Sequence, residues 1–243
     1  MKLDGVEISE TLRNMVDTKS PDRRTLPNAV ADQLRELIIE GVLQPGVRLN
    51  ERALCDRLQV SRTPLREAFR VLSADGLIEI QPNRGAQVVA LSRDDVVESF
   101  EVMGALEALS GQLACARITP EEVTEIRALT YEMQASHSRR DLPAYYQINR
   151  QIHDRINAAS HNRLLARVYK RINLRLQNLR FRSNLVPEKW DAAMQEHLQM
   201  VDALEARDAA RLSEIMLSHL QHKLEAVLDH LDQHRSTQDE MPK

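Results

Sequence analysis

From about Pro27, apolar residues recur at three- and four-residue spacing: Val30, Leu34, Leu37, Ile38 and Val42. That is the period of a helix with one buried face. Gly41 stands near its C-terminal end, and Gln44-Pro45-Gly46 reads as a turn. A short helix over about 51–58 follows, with Ala53, Leu54 and Leu58 inward. After Gln59-Val60-Ser61 comes another, over about 62–74, with Leu65, Ala68, Phe69 and Leu72 as its buried stripe. Ser61 or Thr63 can cap it, and Pro64 fits only in a first turn. Asp75-Gly76 stops it. Leu77–Ile80 then alternates, residues 81–85 turn and Ala86–Val89 returns, which predicts a two-stranded hairpin.

Beyond residue 90 the period is helical to the end. The pattern predicts six helices near 93–117, 120–138, 142–159, 162–183, 187–206 and 208–233. Ser92 with Asp95 has the spacing of a capping box, and Thr119-Pro120-Glu121-Glu122 is a stronger one. Asp141, Asn162 and Asp208 stand where the next N-caps belong. Six helices joined by short polar loops predict an antiparallel bundle. The expected fold is mainly α: an N-terminal winged helix-turn-helix domain over 26–91 and an all-α bundle over 92–234. A flexible arm over 1–25 and a disordered tail over 235–243 are expected to flank them.

Glycine distribution sharpens this picture. All seven glycines precede residue 112. Phosphate-binding loops of the P-loop and Rossmann kinds need glycines at fixed positions and are not expected. Aromatics are 3%, too few for a stacking platform on single-stranded nucleic acid. The two cysteines, Cys55 and Cys115, lie in apolar-periodic stretches, so no disulfide scaffold is expected. No run is long and apolar enough to cross a bilayer, and the N-terminus lacks the apolar core of a signal peptide. A cytoplasmic protein with no membrane partner is the expectation.

The net charge of −3 hides two basic segments. Residues 44–70 carry six arginines against three acids, and 155–187 carry eight Lys/Arg and no acid. Arg62, Arg66 and Arg70 lie at i, i+4 and i+8, on one face of the third helix and opposite its apolar stripe. Arginine reads guanine edges or clamps phosphates. Ser61 and Thr63 can donate to phosphate at the helix N-terminus, and Arg84 at the hairpin tip can follow the backbone into the minor groove. By spacing alone, a solvated basic face remains the alternative.

The wording of this segment resembles the GntR family of bacterial transcription regulators. The resemblance rests on Pro45–Leu54, Val60-Ser61-Arg62-Thr63-Pro64-Leu65-Arg66-Glu67-Ala68, Leu72–Ile78 and Asn83-Arg84-Gly85-Ala86-Gln87-Val88. It covers about 27–90 in order. It implies DNA contacts by Arg52, Arg62 and Arg66, with Gly85 at the wing tip.

In the bundle, three histidines fall on apolar stripes of three different helices: His153, with Asn149 one turn before it, His197 and His219. Inward side chains from facing helices build metal sites in bundles, and neutral imidazole suits divalent ions. Phase alone leaves buried, hydrogen-bonded histidines as the alternative. Residues 93–232 resemble the FCD effector domain of the FadR subfamily through Asn149–His153, Asn162–Leu165, Glu196–Leu204 and His219-Leu220. The resemblance implies Asn149, His153, His197 and His219 as ligands of a divalent metal (Zn, Ni or Mn). Asn149 stands where the family commonly has aspartate, which removes a charge and weakens metal binding. Met103 stands where many relatives carry an arginine for an effector carboxylate, so Arg175 or another arginine of 163–182 is expected to take that task.

The expected function is a homodimeric regulator, a repressor, that binds a pseudo-palindromic operator on double-stranded DNA. A small effector, an organic acid, in the helical domain controls it. The rival is a metal-dependent hydrolase using the three histidines. No HExxH is present, and Glu196 points about 100° from His197 on a helix.

Overall fold

The computed structural model describes residues 26–82, 84–183 and 188–239. The chain divides into two compact units between Ala90 and Leu91.

The first unit contains α1 (Leu26–Ile39), β1 (Arg48–Leu49), α2 (Glu51–Leu58), α3 (Arg62–Ala74), β2 (Ile78–Gln81) and β3 (Gly85–Val88). Its core is the set the periodicity marks: Val30, Leu34, Leu37, Leu54, Leu65, Phe69 and Leu72. Asn50 caps α2 by accepting from Ala53 N at 3.1 Å. Gln59 ends that helix in the left-handed region (φ 53°), which makes the tight turn into α3. The predicted two-stranded hairpin gains a third strand. β1 pairs antiparallel with β3, Arg48 opposite Gln87 and Leu49 opposite Ala86, so the order is β1-β3-β2. Two residues are too few for alternation to announce a strand. Gly85, at φ 84°, opens β3 in a conformation that L side chains rarely adopt.

The second unit contains α4 (Arg93–Arg117), α5 (Pro120–Ser138), α6 (Leu142–Ala159), α7 (Arg163–Ser183), α8 (Glu188–Glu205) and α9 (Ala209–Asp239). Both predicted capping boxes form, at Ser92/Asp95 and Thr119/Glu122. Asp141, Asn162 and Asp208 accept from the first turns of α6, α7 and α9. Without glycine, three loops place Arg140, His161 and Arg207 in the left-handed region. Arg207 is held there by its guanidinium, which donates to Cys115 O at 2.9 Å and Ile118 O at 2.7 Å. The expected arm over 1–25 lies outside the described residues, as does 240–243. The tail expectation is corrected over 235–239, because α9 stays helical to Asp239.

The bundle core has two apolar parts. One gathers Ala114, Ile152, Ile156, Met194, Val201, Leu204, Leu212 and Met216. The other gathers Val96, Phe100, Met103, Tyr169, Leu176, Leu220 and Val227. Along α4 and α9 the two parts meet at Glu107 and at His219, and both of those polar residues are buried.

Candidate functional site

The first unit presents a basic face. Arg52, Ser61, Arg62, Thr63, Arg66, Arg84 and Gly85 are all exposed. Amphipathicity explains α3: Leu65, Ala68, Phe69 and Leu72 are buried, so the arginines emerge opposite. Ser61 occupies the N-cap position, yet its side chain makes no cap hydrogen bond. Its hydroxyl and the first N–H groups of α3 are available to an anion. The three arginines of α3 differ. Arg62 has no ion pair among the described residues. Arg66 donates from Nε and Nη2 to the Glu51 carboxylate at 3.1–3.2 Å. Arg70 pairs with Glu67 on its own helix. Arg84 N donates to Gln81 O at 3.1 Å and closes the hairpin turn.

In the second unit the three predicted histidines meet. One nitrogen from each of His153, His197 and His219 lies within 4.8 Å of the others, and all three rings are buried. His153 Nε2 and His197 Nε2 are 3.2 Å apart. Two nitrogens on a tetrahedral zinc with bonds of about 2.0–2.1 Å stand roughly 3.3 Å from each other. The opposite ring nitrogens are tied back. His197 Nδ1 lies 2.7 Å from Ala193 O, one turn earlier on α8. His219 Nδ1 lies 2.6 Å from Glu196 Oε2. His153 Nδ1 lies 3.0 Å from Glu107 Oε2, at ion-pair distance but off the hydrogen-bond direction. Nδ1 partners of this kind hold imidazoles with Nε2 free to ligate. His219 Nε2 is buried and unpartnered among the described residues. That orphaned acceptor and the convergence of nitrogens fit a divalent ion. Asn149 is buried one turn before His153, and its side chain makes no hydrogen bond among the described residues.

Electrostatics favour neutral rings at His197 and His219. Burial pushes His197 well below its ordinary value, and the neighbouring His219 and His153 add to the effect. Burial likewise lowers His219 to about 4, against the opposing pull of Glu196. Burial works to raise Glu107, but the adjoining His153 ring and the Arg180 guanidinium outweigh it and hold its carboxyl at about 2.

Sequence reasoning missed the carboxylates behind the rings. Glu107 is 1% exposed and also takes Arg180 Nη1 at 3.4 Å, while Arg180 donates to Asn173 Oδ1 at 3.0 Å. The signal was present: Glu107 lies one turn after Met103 on the inward face of α4. Glu196, 100° around α8 from His197, reaches two residues of α9, His219 and His222. Of the arginines of 163–182 expected to serve an effector, the first-named is not placed for it. Arg175 is exposed, where its charge acts on Asp95. Met103 is fully buried in apolar packing. Among the described residues, the buried guanidinium of α7 is that of Arg180, five residues further along and also within 163–182.

Residues 26–88 match the description "Bacterial regulatory proteins, gntR family", and residues 98–222 match "FCD domain". The chain belongs to the GntR family, in the branch that carries an FCD domain. It is a DNA-binding transcription regulator of that family, and the hydrolase alternative finds no support. This GntR regulator is 31% identical over 202 residues to a probable D-xylose utilization operon transcriptional repressor of Paenarthrobacter nicotinovorans, a match covering 81% of this chain and 88% of the relative. It is 26% identical over 194 residues to the transcriptional repressor RspR of Escherichia coli, covering 80% and 85%. Its fold resembles that of E. coli McbR/YncC, with a TM-score of 0.77, 21% identity and coverage of 85% of this chain and 98% of that one. FCD domains often bind metal. Among the described residues, no helix is long and apolar enough to cross a membrane.

Proposed function

We propose that this GntR regulator is a cytoplasmic, homodimeric repressor whose affinity for a pseudo-palindromic operator is set in its FCD domain by a small organic acid and a divalent metal. Arg62, Arg66 and Arg52 read or clamp the duplex, Ser61 and Thr63 take phosphates at the start of α3, and Arg84 with Gly85 forms the wing contact. One such unit reads only a few base pairs, and a two-fold protein matches a two-fold site. His153, His197 and His219, with Asn149, would hold the metal (Zn, Ni or Mn). Bound there, such an ion is a cation with open positions for an anionic ligand. Arg180, sharing Glu107 with His153, is the guanidinium beside the cluster in place of Arg175. To change DNA affinity, the ligand must bind the DNA-competent and incompetent states unequally.

The observation that carries this reading is the convergence of three buried imidazoles whose other ring nitrogens are tied back. Burying them without a shared ligand is costly. The test is metal analysis and thermal melting of the full chain with and without Zn, Ni or Mn, beside His197→Ala and His219→Ala. Wild type should melt higher with metal, by about 2.7 kcal/mol of stability at a hundredfold excess over Kd. Neither variant should respond. A metal-free wild type whose melting ignores all three ions removes the metal from the reading.

A further inference from the structure

Helix α3 carries three arginines in one row, and among the described residues only Arg66 is held by a different helix. Glu51, the first residue of α2, accepts from Arg66 Nε through both carboxylate oxygens at 3.1 and 3.2 Å, and from Nη2 at 3.1 Å. Asn50 caps the same helix end, so the Glu51 backbone is fixed. The Arg66 side chain is 62% exposed and that of Glu51 26%. Arg66 is thus open to a ligand, while Glu51 sits lower, against the protein. Arg66 Nη1 has no partner among the described residues. Once Nε and one N–H of Nη2 are occupied, the end-on edge of the guanidinium, Nη1 with the second N–H of Nη2, is what faces outward. That edge carries two parallel donors, the fork that matches guanine O6 and N7. A lone exposed arginine samples many rotamers and answers any phosphate. A buttressed one has lost most of that freedom before binding, and its charge is partly offset.

We propose that Glu51 is a positioning residue for sequence specificity: it clamps one edge of Arg66 so that the other reads a single base pair in the major groove. This rests on the DNA-reading assignment above. It assigns opposite effects to one carboxylate. Glu51 raises discrimination between sequences and lowers affinity for duplex in general, because it places a negative charge beside the phosphates.

The test uses the full-length chain. Wild type selects its preferred duplex from a random-sequence library, and binding to that duplex and to each single-base change is then measured for wild type, Glu51→Gln, Arg66→Ala and the double variant. Glu51→Gln should relax preference at the base pair where Arg66→Ala relaxes it, by about tenfold. Its affinity for unrelated duplex should equal or exceed that of wild type. The double variant should be no less selective than Arg66→Ala alone, since Glu51 acts only through Arg66. Melting curves accompany the series. If Glu51→Gln folds poorly, Glu51→Ala carries the same expectation. The proposal is overturned if the Glu51 variant keeps the wild-type profile, relaxes at base pairs other than that of Arg66, or weakens all duplexes alike. A wild type that selects no sequence at all overturns the DNA-reading assignment itself, and this proposal with it.

Discussion

Glu107 stands where two demands meet at the scale of single residues. It faces His153 Nδ1 at 3.0 Å and Arg180 Nη1 at 3.4 Å, inside the bundle. Removing one member of such a group leaves the others uncompensated. Replacing an outer partner of a ligating histidine commonly costs 10–100-fold in metal affinity. Glu107→Gln should weaken Zn or Ni binding by about that factor in a calorimetric titration, while His222→Gln, at an exposed position, should change it far less. The histidines also predict a pH dependence. Folded His197 and His219 titrate below the ordinary value of 6.5, and His219 near 4. Between those values the unfolded chain binds protons that the folded chain refuses. Stability is therefore full above about pH 6.5, falls as pH drops through that value, and levels off for His219 near 4. The His219 share is of order 3 kcal/mol when fully developed. Chelator-treated wild type should melt progressively lower from pH 6.5 to 4.5, and His219→Gln should show a shallower fall.

At the scale of elements, α4 and α9 approach closely because Gly111 lacks a side chain. A Cβ there would stand 2.8 Å from Met216 Sδ and 3.0 Å from Leu212 Cγ. The methionine end can yield, but the leucine branch is fixed in the core. Gly111→Leu should lower stability by about 1–3 kcal/mol in urea unfolding, as overpacking does. These same helices show what was legible beforehand. Long periodic stripes and capping boxes place α4 to α9 because local sequence decides both. β1 was invisible because its two residues are a strand only through pairing with β3. The three histidines were legible through phase alone, since an inward position on each helix sends each ring to the same interior. Of their partners, Glu107 had a signal in its spacing of one turn from the inward Met103. Glu196 and Arg180 had none, because the facing of those positions depends on tertiary packing. Arg175 was a plausible inward arginine by composition. The five residues to Arg180 put it about 140° around the helix and decide which guanidinium is buried, and basic residues spread along 163–182 could not distinguish them.

At the scale of the molecule, the helical unit leaves an apolar stripe on the outside of α4. Val102 is 48% exposed and Leu109 41%, and Leu106 and Leu113 between and beyond them are half-buried. They recur at i, i+4, i+7 and i+11, which is one face of a helix. Asp94, Glu98 and Glu101 precede the stripe on the exposed side of the same helix. An exposed apolar stripe with charge at one end has the composition of a protein interface rather than of solvated surface. A second copy is the occupant that the proposed two-fold operator calls for, and an isologous contact would present the same stripe from both subunits. Val102→Glu with Leu109→Glu should convert the proposed dimer to monomer in sedimentation at micromolar concentration. The double variant should retain its melting temperature within a few degrees, because neither side chain supports the core. Operator binding should then weaken more than binding to a half-site, since the monomer loses the gain from linking two readers. A double variant that sediments as wild type would place the dimer contact elsewhere on the helical unit.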